Sequence, residues 1–274
     1  MTTVFQGHQY DLSYPDGIEN HWWHLTRNRM VLGEVRKVTG PGSAVLDIGC
    51  GRGITVRHLR QRGIDCRGVE PGITKAVRGV EDHVRFGQDA SDLPGEERSR
   101  YDTLLLLDVL EHLVEPATVL AALITRFPRV STVIITVPAR PEIWSNYDEF
   151  YGHQRRYTAE MVEDLATMAA CEIAYQTYYF RPMYVPARIL SALNVRRSTR
   201  NRAPKGITKA LHRLIAYGMM VDYILPGQVP GMGIVARMNP RAAAAAPFGD
   251  HGLSTRALKV PLAGSAQSAP VTQQ

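Results

Sequence analysis

From Ala44 to Pro138 short apolar runs alternate with amphipathic stretches, and this rhythm constrains the fold more than any other feature of the chain. "AVLDIG", "DCRGVE", "HVRFGQ", "YDTLLLLDVL" and "STVIITVPA" read as strands, while "GITVRHLRQRG" and "EPATVLAALITRF" read as helices, the latter continuing the "YDTLLLLDVL" strand. Strands separated by helices form βαβ units, whose right-handed crossovers lay down a parallel sheet covered on both faces. Outside this core, residues 19 to 38 read as a helix entered through aromatics and stopped by "TGPG". "TAEMVEDLATMAA" predicts a helix over 158 to 170 with Thr158 as its N-cap. "CEIAYQTYYF" alternates like a strand, and "GMGIVARMN" reads as the last one.

The chain has 274 residues, enough for one large domain with a well-buried core. A hydrophobic content of 45% with 21% charged residues excludes a wholly disordered chain. Cys50, Cys66 and Cys171 lie far apart without CxxC or Cys/His spacing, so neither a disulfide framework nor a zinc knuckle is expected, and a reducing cytoplasm is the expected home. The first residues show no basic region followed by an apolar run, so no signal peptide is expected. The apolar stretch 207 to 227 is broken by Lys209, His212, Arg213 and Asp222 and falls short of a membrane span. Residues 241 to 274 form a low-complexity tail that is expected to be disordered.

The net charge of +6 is unevenly placed. No acid lies between Glu172 and Asp222, yet Arg181, Arg188, Arg196, Arg197, Arg200, Arg202, Lys205, Lys209 and Arg213 all do. Two readings stand: a solvated face or mobile loop, or a surface facing anions such as phosphate groups or acidic lipid headgroups. No RNA-binding signature accompanies the run, so no nucleic-acid partner is expected.

"VLDIGCGRG" sets glycines at 49, 51 and 53 on the turn between the first strand and its helix. Glycine allows a tight turn and a close approach of backbone to ligand, in the crevice where such sheets bind. The spacing is GxGxG rather than the GxGxxG of dinucleotide folds. Asp47, just before the turn, suits an ammonium group better than a pyrophosphate. Glu70 ends the second strand about 20 residues on, where a carboxylate accepts from ribose hydroxyls. Asp89 is placed to accept from an adenine amino group while the Ala90 backbone holds the ring. Together these residues outline an adenosine that carries an amino acid.

At this point the chain resembles the class I S-adenosylmethionine-dependent methyltransferases, in register from Val45 to Pro138. The resemblance implies a Rossmann-like, doubly wound, seven-stranded and mostly parallel sheet with helices on both faces. It implies an N-terminal cap or lid over residues 1 to 40 and a methyltransferase domain over 41 to 240, with a basic helical insertion at 181 to 226. It also implies S-adenosyl-L-methionine as cofactor. Asp47, Gly49 and Gly51 would hold the methionyl end, Glu70 the ribose, and Asp89 with Ala90 the adenine, with Cys50, Pro71 and Val109 beside them. "LDVLEHL" places Asp108 next to the cofactor and Glu111 and His112 at the opening of the following helix. Asp108-x-x-Glu111-His112 is similar to the E-x-x-E-H metal site of some ubiquinone-pathway O-methyltransferases. Aspartate replaces the first glutamate, however, and no metal is expected.

Methyl transfer to oxygen is an in-line displacement that benefits from alignment and from a general base near neutral pKa. His112 and His153 are the candidate histidines. His153 lies in "DEFYGHQRRY", which resembles the D-x-x-x-G-H-x-R-R-Y segment of one bacterial branch of the family. Two readings coexist there: Asp148 paired with Arg155 or Arg156 as a pin for the loop, or a substrate face in which Tyr147, His153, Arg156 and Tyr157 meet the acceptor. Trp22, Trp23 and Arg27 in "ENHWWHLTRNR" either wall the cleft or anchor their helix to the sheet. The expected function is O-methylation of a small-molecule hydroxyl on a sugar, secondary metabolite or lipid-linked acceptor. Transfer to carbon or nitrogen, and weak contact with an anionic membrane surface, stand as alternatives.

Overall fold

The computed structural model describes residues 7 to 227 and 229 to 241. In chain order the helices are α1 (Gly7–Ser13), α2 (Trp22–Val38), α3 (Ile54–Arg60), α4 (Gly95–Arg98), α5 (Pro116–Arg126), α6 (Asn146–Phe150), α7 (Ala159–Met168), α8 (Arg181–Ala192) and α9 (Thr208–Gly218). The strands are β1 (Val45–Ile48), β2 (Cys66–Glu70), β3 (Val84–Phe86), β4 (Thr103–Leu107), β5 (Thr132–Pro138), β6 (Cys171–Tyr179) and β7 (Gly233–Pro240). They form one sheet in the order β3-β2-β1-β4-β5-β7-β6. β7 runs antiparallel to both of its neighbours, and every other pairing is parallel.

β1 sits between β2 and β4, with Val45 opposite both Cys66 and Thr103. The strand order reverses here, so the loops after β1 and β4 diverge and leave a crevice at the carboxyl edge. Side-chain alternation feeds two cores. Leu46, Ile48, Leu104, Leu106, Val133 and Ile135 pack on the face covered by α5 and α7. Val45, Leu105, Leu107 and Ile134 pack on the other, against Met30, Val31 and Val35 of α2 and Leu59 of α3. Every residue of β4 is buried, which explains its unbroken "TLLLL" run. Truncating one of these leucines to alanine is expected to cost about 2–5 kcal/mol.

The expected α/β architecture and element order are observed, with one local correction. Glu111 and His112 do not open the helix after β4: Leu110–His112 is a separate 3-10 turn, and α5 begins at Pro116. Glu115 precedes proline and takes a non-helical conformation (φ −117°, ψ 71°), so the helix cannot run back through it. The basic insertion is the helix pair α8 and α9, joined by residues 193 to 207 and followed by a 3-10 turn at Met219–Tyr223. Among the described residues no helix is long and apolar enough to cross a membrane. The tail expected beyond Arg241 lies outside the described residues.

Candidate active site

The turn after β1 is shaped by glycine at two points. Gly49 (φ 72°) has no room for a Cβ, which would stand 2.7 Å from Val109 Cγ2, and Gly51 (φ 54°) is left-handed beneath the Tyr14 ring. Asp47 is buried at the end of β1, and its Oδ1 has no hydrogen-bond partner. Burial pushes its carboxyl up to about 7; Arg27 opposes this, and Glu70 and Asp108 add to it. A buried carboxylate oxygen without a donor, beside a left-handed glycine turn, fits a cationic amine.

Glu70 ends β2 and gathers three donors. Its Oε2 accepts from the Gly51 amide at 2.8 Å, and its Oε1 accepts from the Gly72 amide at 3.0 Å and the Tyr10 hydroxyl at 2.8 Å. Asp108, directly after β4, is held at φ 58°, a conformation that aspartate tolerates better than most side chains. It accepts from Arg27 Nη1 at 2.5 Å and from the Thr136 hydroxyl at 3.2 Å. Arg27 is itself buried, with its guanidinium 4.6 Å from the Trp23 ring centroid and Nη2 donating to the Thr55 hydroxyl. The arginine expected in the cleft wall thus also pairs with Asp108.

After β5, the short helix α6 leads into the histidine segment. Ser145 caps the helix in a reciprocal box: Asp148 Oδ2 accepts from the Ser145 amide at 2.9 Å and hydroxyl at 3.1 Å. Arg156 grips the same carboxylate with two bonds, Nε to Oδ1 at 2.8 Å and Nη2 to Oδ2 at 3.1 Å, and Nη1 donates to the Ala139 carbonyl. Arg155 instead donates to the carbonyls of Leu113 and Val114. His153 Nδ1 stands 2.9 Å from Asp148 Oδ1. Burial pushes the Asp148 carboxyl up, but the His153 and Arg156 bonds outweigh it and hold the group below the usual range. An ionised carboxylate only accepts, so its partner Nδ1 carries the proton and Nε2 is the basic atom of His153.

His112 packs edge-on against His153, with ring centroids 4.9 Å apart. Burial, then repulsion from His153, lowers its pKa to about 3. Below the pair lies Glu111, whose buried Oε2 has no hydrogen-bond partner. Burial and then Asp108 push the Glu111 carboxyl far up. Glu111, His112 and His153 each offer a potential metal-ligand atom, and these atoms lie within 4.8 Å of one another.

A cavity of about 430 Å³ joins these groups. Of the residues singled out in the sequence, Gly49, Gly51, Glu70, Pro71, Asp108 and Val109 line it. His112, Tyr147, His153 and Arg156 line it as well, as do Trp22, Trp23 and Arg27. Asp47 and Cys50 lie behind the glycine turn, with Cys50 filling the space over Gly68. Asp89 and Ala90 stand at the end of β3 outside the lining, where Asp89 caps a 3-10 turn through the Ser91 amide. Tyr157 is a correction: it is buried in the core, donates to the Leu110 carbonyl at 3.1 Å and does not reach the cavity. It forms a bridge with Ala139, and successive side chains there point to opposite faces, so Arg156 turns toward the site and Tyr157 away from it. Sequence reasoning missed Tyr10, Tyr14, Tyr151, Tyr179, Arg197 and Asn201, all of which line the cavity. Only the four-residue spacing of Tyr10 and Tyr14 hinted at a paired face.

A methyltransferase-domain family model matches residues 23–176. Among curated relatives, the ubiquinone biosynthesis O-methyltransferase of Xanthomonas campestris pv. campestris (strain B100) is 27% identical over 138 residues, which is 44% of this chain and 58% of that protein. The chain thus spans less than two thirds of the length of the curated relatives it matches first. Two solved structures share the fold. The methyltransferase in a complex with a Haloferax volcanii methyltransferase activator has TM-score 0.52 and 17% identity, over 85% of this chain and 97% of that one. The [4+2]-cyclase SpnF has TM-score 0.50 and 19% identity, over 88% of this chain and 97% of that one. Since the family model spans more than half of the sequence, and the sheet order, glycine turn and strand-end acids agree with it, this chain belongs to the class I S-adenosylmethionine-dependent methyltransferases.

Proposed function

We propose that the enzyme methylates a hydroxyl oxygen of a small, largely apolar acceptor, with His153 as general base. S-adenosyl-L-methionine, when bound, supplies a methyl group that is already electrophilic on a sulfonium. The protein's task is to align the acceptor and take its proton, and alignment can supply about 7–11 kcal/mol of the barrier. The observation that carries the reading is the 2.9 Å contact of His153 Nδ1 with Asp148, in the cavity that Gly49 and Asp108 also line. That contact fixes the tautomer and leaves Nε2 to accept a proton. Arg156 and Ser145 hold Asp148 in turn, so the base stands on a rigid frame.

In this reading Asp47 and the Gly49–Gly51 backbone hold the methionyl end, and Glu70 the ribose. Asp89 and Ala90 flank the adenine at the end of β3. Trp22, Trp23 and Tyr147 form apolar walls suited to a ring or prenyl-like body, in keeping with the O-methyltransferase name of the curated relatives. A second reading, in which a divalent cation activates the hydroxyl, draws on the closeness of Glu111, His112 and His153. Incubating the protein with cofactor and a panel of phenolic, sugar and polyketide-like alcohols tests the main reading by mass spectrometry. Gain of one CH₂ on an alcohol oxygen supports it; methylation confined to carbon or nitrogen positions overturns it.

A further inference from the structure

We infer that the outward face of α8, the 193–207 connection and α9 is a docking surface for an anionic phospholipid bilayer. α9 has two apolar stripes where a helix packed on one side needs only one. The inner stripe secures it to the body: Ala216 and Met219 are buried, Ile215 is partly so, and His212 Nδ1 accepts from the Trp22 amide at 3.1 Å. The outer stripe, Ile207, Leu211 and Leu214, keeps the i, i+4, i+7 spacing and is 89%, 54% and 68% exposed. α8 repeats the arrangement, with Ala187 buried inside and Val185, Ile189 and Leu193 exposed outside. The outer ridge of aliphatic side chains that each helix carries is not accounted for by the packing of the domain.

The charge around the ridge identifies what covers it. Arg188, Arg196, Arg200, Lys205, Lys209 and Arg213 are all exposed. None is held in an ion pair among the described residues. The acid that closes the segment, Asp222, is buried beneath it and engaged by the Phe180 and Arg181 amides. Glu142 beside α8 offsets Arg188 in part, and the face otherwise combines an excess of positive charge with exposed aliphatic chains, the pairing that binds an anionic lipid–water interface. A nucleic acid offers phosphates but nothing for Ile207, Leu211 and Leu214 to bury against, and a second copy would set like charges face to face. Arg197 and Asn201 of the connection line the cavity, so docking presents its rim to the bilayer. Docking does not depend on which acceptor the cavity takes.

Co-sedimentation of the full chain with vesicles of phosphatidylcholine alone, and of phosphatidylcholine with phosphatidylglycerol at two to one, tests this. Binding to the anionic vesicles alone is expected, with loss in about 1 M salt, where the screening length falls to about 3 Å. Leu211→Glu with Leu214→Glu is expected to weaken that binding at least tenfold while cofactor binding by calorimetry stays unchanged. Arg188→Gln with Arg213→Gln, which leaves the apolar stripe intact, is expected to weaken it several-fold and reduce its salt dependence. Four results would overturn the inference: no sedimentation with anionic vesicles, unchanged sedimentation of both double variants, tighter binding to duplex DNA than to vesicles, or a dimer in light scattering that the glutamates dissociate.

Discussion

His153 Nδ1 lies 2.9 Å from Asp148 Oδ1, and Arg156 holds that carboxylate from its other side. The arrangement fixes the ring before an acceptor arrives. His153→Ala is therefore expected to lower kcat by about 10²–10³-fold. Cofactor affinity, measured by calorimetry, should stay within twofold of the parent, because the contacts of His153 are with Asp148 and His112 and not with the glycine turn. Undiminished turnover would remove His153 as the base.

Asp148 is fully buried and serves Ser145, His153 and Arg156 together. Asp148→Asn leaves the Arg156 guanidinium buried without a counter-charge, a loss of about 3–5 kcal/mol that urea unfolding would detect. The sign with pH follows from the lowered carboxyl. Its folded pKa is below the unfolded value, so its contribution is present above about pH 4 and lost as the pH falls through the folded value. The variant's stability should accordingly change less than the parent's between pH 5 and pH 3 (about 2 units around the unfolded Asp value). A variant as stable as the parent at neutral pH would show that the pin is not structural.

The sheet was legible because parallel strands covered on both faces must be continuous apolar runs, as in β4 and β5. Glu70 and Asp108 were legible because a strand end places its residue at the crevice whatever the loops do. Tyr157 was not, because its neighbour Arg156 has the opposite orientation on an extended bridge that one loop sequence does not reveal. Nor did any local pattern place Tyr10 against Glu70, since the contact joins residues 60 positions apart. The outer stripe of α9 was present in the spacing of Ile207, Leu211 and Leu214, but only the burial of Ala216 and Met219 shows that a second stripe exists.

The proposed hold of Asp47 on the methionyl amine would tie cofactor affinity to pH. Its carboxyl is raised to about 7, chiefly by burial, and a cationic amine beside it favours the ionised form. Affinity for S-adenosylmethionine should rise several-fold from pH 6 to about 7.5, then fall as the ligand's own amine deprotonates near about 8. The ligand-free protein should behave in the opposite sense, losing stability from about pH 4 to 7 as the unfolded carboxyl ionises and the folded one does not. Asp47→Asn is expected to weaken binding and flatten its rise with pH. A parent affinity that is level from pH 6 to 7.5 would refute the assignment.

Tyr10 competes for Glu70. A carboxylate has about four acceptor sites, and the Gly51 and Gly72 amides and the Tyr10 hydroxyl use three. A ribose diol asks for two. Tyr10→Phe removes one competitor worth about 0.5–1.5 kcal/mol, so cofactor binding should tighten by about two- to tenfold. Weaker binding in the variant would show instead that Tyr10 closes on the cofactor and helps hold it.

Glu111, His112 and His153 separate a proton acceptor from a metal site. Burial and then Asp108 push the Glu111 carboxyl far up, which disfavours the anionic form that a hard cation needs as its ligand. His112, lowered to about 3, is neutral at physiological pH. The upward push on Glu111 thus works against Mg²⁺ binding, and the proposal leaves His153 Nε2 to take the acceptor's proton. Dialysis against a chelator should leave turnover unchanged. Glu111→Gln, which mimics the neutral acid in size and hydrogen bonding, should retain at least about a tenth of parental kcat, a cost of no more than about 1.4 kcal/mol. If chelation abolishes turnover and Mg²⁺ or Mn²⁺ restores it in the parent but not in Glu111→Gln, the carboxylate ionises to bind metal and the base belongs to a metal-bound hydroxyl instead of His153.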